Sequence, residues 1–308
     1  MQTRSLSLPV IVGLILGLVS LLRYCGQAQR NPVTGEVQRV ALSPKQEIAL
    51  GLHSAPLMIQ RHGGELADAE IAPYVSRVGR SLVGNTFARS APYRFDFHVL
   101  RDRRTLNAFA LPGGQIFITQ ALLLRLRSEA QLAGVLGHEI GHVIARHGAQ
   151  HLAKQQLGQL LVTAVQVGSY DPRDPGRGRS ASVLAQAANQ MIGLKYGRED
   201  ELEADDYGFR ILVEAGYDPR GLAELMDVLE GAQSGGRPPE FLSTHPNPGN
   251  RRARIAESIA ARFPSPPGVP AGLRRGDSDF AAHVLRTVPD LTPPRGERSR
   301  WGDDERLP

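Results

Sequence analysis

The chain has 308 residues, 41% of them hydrophobic, and a formal charge of +5 spread over 36 basic and 31 acidic residues. That length buries the core of one full domain with short extensions and leaves no room for a second domain of that size. The mild charge balance argues against a nucleic-acid binder: the largest basic cluster, Arg251, Arg252 and Arg254, falls in a helical pattern, and the aromatics do not interleave with basic residues.

In chain order, Leu6 to Leu22 is almost wholly apolar between Arg4 and Arg23. Residues 1–25 therefore read as an export signal or a single membrane anchor. Gly26-Gln27-Ala28 offers a signal-peptidase site, whereas Leu22-Arg23-Tyr24-Cys25 resembles a lipoprotein box only loosely. Cys25 is the sole cysteine, so any metal must be held by His and carboxylate. Residues 26–42, polar with Gly and Pro, read as a tether. The domain is placed at 43–263, opening on the capping box Ser43-Pro44-Lys45-Gln46 and a helix that Pro56 should end or kink. A second helix is expected over Ala72 to Val83. Phe95, Phe97 and Val99 alternate with polar residues, and Ile116-Phe117-Ile118 follows a Pro112-Gly113-Gly114 turn, so both read as strands of a small sheet.

A capping box at Ser128-Glu129-Ala130-Gln131 opens a helix expected to run to about Leu152. The apolar stretch Leu157 to Val167 is too short to cross a membrane. A Gly, Pro and Arg-rich loop from Ser169 to Ser180 follows, then helices over Ala181 to Lys195, Glu199 to Ala215 and Arg220 to Gly231. Residues 264–308 read as a Pro-rich, loosely ordered tail with one helical patch near Phe280 to Arg286.

His138, Glu139 and His142 form an HExxH motif on the helix begun at Ser128. Two histidines four apart project from one helix face and can bind a single tetrahedral Zn(II), one ion per chain. Glu139 then sits beside the open coordination position as general base. His147 and His151 fall on roughly the opposite face at about 100° per residue and read as structural or solvated. Ala145 and Gly148 stand where a HExxHxxGxxH pattern needs Gly and His, so the third ligand comes from elsewhere. In Arg198-Glu199-Asp200-Glu201-Leu202-Glu203-Ala204-Asp205, Glu201 and Asp205 lie four apart on a helix and face the same way. Glu201 then supplies a carboxylate ligand, and Asp205 accepts the free ring N–H of a ligating histidine. Glu199 and Glu203 point away and read as structural.

At these residues the chain resembles the zinc metallopeptidases of the CAAX prenyl protease and HtpX type, peptidase family forty-eight of the metallo class. The resemblance rests on Asn107-Ala108-Phe109-Ala110-Leu111-Pro112-Gly113-Gly114, on His138 to His142, and on Glu201 to Asp205, which match the family's ExEAD. Ser243-Thr244-His245-Pro246 with Arg251 looks like its HPxxxxR. The resemblance implies an α+β zincin of the gluzincin type, mainly helical, with a small sheet whose edge strand lines the active-site cleft. It implies that Glu201 is the third zinc ligand and that Asn107, Ala108, Phe109 and Ala110 pair with substrate backbone. His245 would donate to the oxyanion or cap the zinc, and Arg251 would lie at the oxyanion or cleft.

The function expected is a zinc endopeptidase of the bacterial cell envelope, facing the periplasm, membrane-associated through its N-terminal segment and acting on unfolded or misassembled polypeptides. The tail is too short for a helical repeat domain. A chaperone-like client-binding protein using the same cleft with little turnover is the alternative. Oligomeric state, substrate and regulator are not legible.

Overall fold

The computed structural model describes residues 7–169, 196–233, 240–245, 250–264 and 272–286. The loop expected after Ser169 and the helix expected over Ala181 to Lys195 lie outside the described residues. The apolar N-terminal run forms α1 (Leu8–Gly26), long and apolar enough to cross a membrane, with Leu8, Leu14, Leu18 and Leu22 exposed.

Residues 26–42 are more than a tether. They hold an antiparallel hairpin of β1 (Ala28–Arg30) and β2 (Val37–Arg39), whose turn is closed by Asn31 Oδ1 accepting from the Val33 and Thr34 N–H groups. Polar composition hid the hairpin because polar side chains do its packing. Asn31 and Gln38 are buried and hydrogen-bond one another and the main chain of the core helix described below.

Helix α2 (Pro44–Arg61) opens on the expected box, with Ser43 Oγ accepting from the Gln46 N–H and Gln46 Oε1 accepting from the Ser43 N–H at 2.9 Å. Pro56 does not end it. An interior proline costs about 3 kcal/mol, and the packing of Ala55 and Ile59 against Leu100 and Phe117 on either side offsets that loss. Helix α3 (Ile71–Gly84) precedes a three-stranded sheet of β3 (Asp96–Leu100), β4 (Ala108–Leu111) and β5 (Gln115–Thr119). The central strand β5 runs parallel to β3 and antiparallel to β4, in the register Ala108 opposite Ile118. Among the described residues β4 pairs on one side only, which leaves backbone groups on its other edge. Gly113 and Gly114 make the turn between β4 and β5 at φ of 84° and 102°, a region that favours glycine.

A short helix α4 (Gln120–Leu123) leads to α5 (Glu129–Ile144), in which every residue is buried. Ser128 Oγ accepts from the Gln131 N–H at 3.1 Å, but the Gln131 side chain accepts from Arg127 rather than completing the box. The helix stops at Ala145, and α6 (His147–Gly168) begins after Arg146, the one non-glycine residue of positive φ among those described, at 58°. The single helix expected from Ser128 to Leu152 is therefore two helices meeting at a left-handed residue. Helix α6 lies along α1, where a Cβ added at Gly13 would fall 2.7 Å from the Ala164 carbonyl oxygen.

Helix α7 (Arg198–Glu214) crosses α5 at small residues: a Cβ at Gly141 would fall 2.8 Å from the Ala204 carbonyl oxygen, and one at Gly208 would fall 3.2 Å from the His138 nitrogen. Helices α8 (Arg220–Gln233), α9 (Glu240–Thr244) and α10 (Arg251–Arg262) complete the shell. Residues 272–286, assigned from sequence to a loose tail, pack on the start of α5 through α11 (Asp277–Phe280) and the turn after it. Phe280 and Val284 are fully buried, and the Ala130 N–H donates to the Arg275 carbonyl at 2.9 Å. Buried Glu129 draws this segment in. It accepts from the hydroxyls of Tyr74 at 2.6 Å and Tyr217 at 2.8 Å and pairs with Arg274 at 3.0 Å.

Candidate metal centre

His138 and His142 lie one turn apart on α5, with their Nε2 atoms 3.1 Å from each other. The close crossing of α7 brings in Glu201, whose Oε2 is 3.4 Å from His138 Nε2 and whose Oε1 is 3.4 Å from His142 Nε2. His245, just beyond α9, places Nδ1 3.0 Å from Glu201 Oε1 and 3.4 Å from His138 Nε2. One ligand atom from each of these four buried residues lies within 4.8 Å of the others.

Glu139 is beside them, 3.7 Å from His245 Nε2, and neither of its buried carboxylate oxygens has a hydrogen-bond partner among the described residues. Burial pushes its carboxyl up, an effect the neighbouring histidines oppose. Burial would raise Glu201 as well, yet His245 and the hydrogen bonds of His138 and His142 hold it far below the usual carboxylate range. His142 is pushed well down by burial. Two buried carboxylates facing imidazole nitrogens, with Glu139 lacking a hydrogen bond among the described residues, make an environment that a cation would satisfy. The N/O donor set is the one zinc takes.

Behind the cluster, Asp205 Oδ1 lies 2.9 Å from His138 Nδ1. Arg251 is fully buried and forks onto Asp205 with two bonds of 2.7 Å, while its NH1 lies 2.9 Å from Glu201 Oε2 in an ion pair without hydrogen-bond alignment. Arg251, which the resemblance put at the oxyanion or cleft, is thus held against the carboxylates of Asp205 and Glu201. Its guanidinium neutralises two buried acids that would otherwise repel one another.

The α5–α6 break changes the place of a residue that sequence periodicity set aside. With Arg146 left-handed, His147 swings back to the side of His142, and their Nδ1 atoms are 2.8 Å apart. Only a regular helix would have kept the two rings on opposite faces. The break is fixed by the Arg146 guanidinium, which donates to Glu47, to the Leu42 carbonyl at 2.7 Å and to Gln29 at 3.3 Å. Asn31 donates to the Ile144 carbonyl at 2.7 Å and Gln38 to the Ala145 carbonyl at 2.8 Å, so the hairpin satisfies the carbonyls at the end of α5. Sequence offers no signal for this, because Ala145-Arg146 contains neither Gly nor Pro. Tyr196 and Phe241 also escaped the sequence reading: the first stacks on His142 at 4.1 Å, the second on His245 at 4.5 Å.

Of the four residues expected along the cleft, Ala108 to Ala110 lie on edge strand β4, and Asn107 precedes it. Ala110 lines a small cavity with His142 and Tyr196, while the Phe109 ring turns to the other face and stacks on Phe117 at 4.9 Å. Asn107 Nδ2 donates to Glu240 Oε1 at 3.3 Å and the Phe241 N–H donates to the Leu106 carbonyl at 3.1 Å, tying the segment that carries His245 to the start of the edge strand.

A mainly helical zincin scaffold with an HExxH helix, a glutamate from a following helix and a small sheet defines the gluzincin class. The chain belongs to peptidase family M48, whose family model matches residues 70–259, more than half of the sequence. It is 30% identical over 260 residues to the beta-barrel assembly-enhancing protease of Escherichia coli, covering 81% of this chain and 51% of that protein. It is 33% identical over 187 residues to the mitochondrial metalloendopeptidase OMA1 of Schizosaccharomyces pombe, covering 60% of this chain and 52% of that one. It is also 28% identical over 252 residues to the mitochondrial metalloendopeptidase OMA1 of Bos taurus, covering 79% and 48%. The chain spans about half the length of these curated relatives.

Proposed function

We propose that the chain is a zinc-dependent endopeptidase with His138, His142 and Glu201 as its metal ligands and Glu139 as its general base. The observation that carries this reading is the buried four-donor cluster with the unpartnered Glu139 carboxylate beside it. A zinc ion held there supplies Lewis acidity and makes water a usable nucleophile at neutral pH. Glu139, with both oxygens free, takes the proton of the attacking water and passes it to the leaving amine. The free edge of β4 holds an extended substrate by main-chain hydrogen bonds, so the side chains cut can vary. Asp205 keeps the proton on His138 Nδ1 and so directs Nε2 towards the centre.

His245 caps the centre at rest. The support is its Nδ1, 3.0 Å from Glu201 Oε1 and 3.4 Å from His138 Nε2, and the stacking of its ring on Phe241. Unfolded or misassembled polypeptides of the bacterial cell envelope are the substrates proposed, with α1 as the membrane attachment. The support is the Escherichia coli relative's name and the exposed leucines of α1. The mitochondrial relatives are named metalloendopeptidases too, so the chemistry is the broader part of this reading and the compartment the narrower.

Metal analysis of the purified chain, with casein cleavage by wild type and by Glu139→Gln, tests the reading. About one zinc per chain is expected in both proteins, with cleavage reduced at least about 10²–10⁴-fold in the variant. Cleavage that survives o-phenanthroline, or equal cleavage by both proteins, would reject the endopeptidase. Client binding without turnover in either would leave the chaperone-like alternative.

A further inference from the structure

The two histidines of the HExxH motif are backed differently. His138 Nδ1 faces the carboxylate of Asp205, whereas His142 Nδ1 faces another imidazole, that of His147, at 2.8 Å. His147 is fully buried, and its far nitrogen Nε2 lies 3.2 Å from Glu203 Oε2 and 3.9 Å from Asp200 Oδ1. Glu203 belongs to the same helix as Glu201 and Asp205 and approaches His147 from the outer side of α7.

Proton placement along this chain has one consistent solution. His142 turns Nε2 to the donor cluster, 3.1 Å from His138 Nε2 and 3.4 Å from Glu201 Oε1, so a neutral His142 offering that lone pair carries its hydrogen on Nδ1. That N–H needs an acceptor, and the atom in reach is His147 Nδ1. His147 then accepts at Nδ1 and carries its own hydrogen on Nε2, and this N–H donates to Glu203 at 3.2 Å. The opposite assignment, with hydrogen on His147 Nδ1, would set two N–H groups against each other or place the His142 proton on the nitrogen that faces the cluster. It would also set the bare His147 Nε2 lone pair against the Glu203 carboxylate at 3.2 Å.

We infer that His147, held by Glu203, is a positioning residue that fixes the tautomer and ring orientation of His142, as Asp205 does for His138. The acidic positions of Glu201-Leu202-Glu203-Ala204-Asp205 then have three distinct jobs: one in the donor cluster and one behind each histidine. The inference rests on the zinc reading of the site. It also gives the left-handed Arg146 a purpose, since a continuous helix would carry His147 away from His142.

The test uses the full chain loaded with zinc. His147→Phe keeps the ring's bulk without its nitrogens, and His147→Gln restores an acceptor. Glu203→Leu removes the outer acceptor, and Glu203→Gln retains one. Zinc affinity is read by chelator competition, the melting temperature of the zinc-stripped protein is read in parallel, and the His142 Nδ1–H resonance is followed by NMR.

His147→Phe is expected to weaken zinc binding about 10 to 100-fold, lose the Nδ1–H resonance and melt like wild type once stripped. His147→Gln should recover most of the affinity, and Glu203→Gln should bind more tightly than Glu203→Leu. Wild-type zinc affinity in His147→Phe would overturn the inference while leaving the metal reading intact. So would a Gln variant no better than Phe, or a loss seen only in the stripped protein's melting temperature. If His147→Phe does not fold, the His147→Gln and Glu203 comparisons decide by the same criteria. A wild-type chain that takes up no zinc would instead bring down the metal reading and this inference together.

Discussion

At the scale of single residues, the capping role proposed for His245 makes it the group that opens or closes the site. In that role it would occupy the position that a catalytic zinc keeps free for water. His245→Ala should therefore raise basal casein cleavage with zinc content unchanged, and zinc absorption spectroscopy should lose one nitrogen neighbour. A fall of about 10²–10³-fold in kcat with zinc retained would assign it to the oxyanion instead. Asp205 sits at the same scale with a different effect. Its carboxylate serves both His138 and Arg251, so Asp205→Ala leaves a buried guanidinium without its bidentate partner as well as freeing the ring. Zinc affinity should drop roughly 10 to 100-fold, and stability should fall by about 3–5 kcal/mol, the cost of breaking a buried pair from one side. Unchanged affinity by chelator competition would reduce Asp205 to a partner of Arg251.

Between elements, the site depends on how near α5 and α7 can come. Gly141, inside the HExxH motif, faces the Ala204 backbone, and Gly208 faces the backbone of His138. Gly141→Ala would put a methyl carbon 2.8 Å from the Ala204 carbonyl oxygen, an atom that cannot turn aside. The helices must part, at a cost of about 1–3 kcal/mol, and Glu201 retreats from the histidines with them. A lower melting temperature together with weaker zinc binding is expected, whereas a variant matching wild type in both would show that the crossing has slack. The motif was legible because HExxH and the Glu201–Asp205 pair obey helical spacing. The break at Arg146 was not, since it is imposed by Glu47, Leu42 and Gln29, about 100 residues or more away in sequence.

For the whole molecule, the N-terminal segment does two jobs that a tether would not do. Helix α1 shields one side of α6 and shows exposed leucines on its own outer face, and the hairpin after it closes the end of α5. A chain beginning at Gln27 keeps the hairpin. One beginning at Ser43 strands the Ile144 carbonyl, leaves the Ala145 carbonyl only the Gln150 amide at 3.0 Å, and strips Arg146 of two of its partners. Each buried group left unsatisfied costs about 1–3 kcal/mol, so the shorter chain should melt lower and hold zinc less well than the longer one. Equal melting temperatures and zinc affinities would return residues 28–42 to the status of a tether. At the other end, Phe280 and Val284 carry the folded unit past the boundary drawn at Phe263, because Glu129 at the head of α5 recruits Arg274.

Sequence by itself determined what is local and periodic. The caps at Ser43 and Ser128, the strands around Phe97 and Phe117, the histidine pair four apart and the carboxylates of Glu201 and Asp205 follow from spacing along a helix or strand, which the chain carries wherever it folds. Tertiary structure decided what depends on partners distant in sequence. It set Arg251 against Asp205 and Glu201, brought His245 and Phe241 to the donor cluster, turned His147 towards His142 through a left-handed arginine, and made a polar stretch into a hairpin. Those features are made of buried polar contacts between separate elements. Their stability comes from mutual satisfaction of donors and acceptors in the folded interior, a quantity that no single segment's composition encodes.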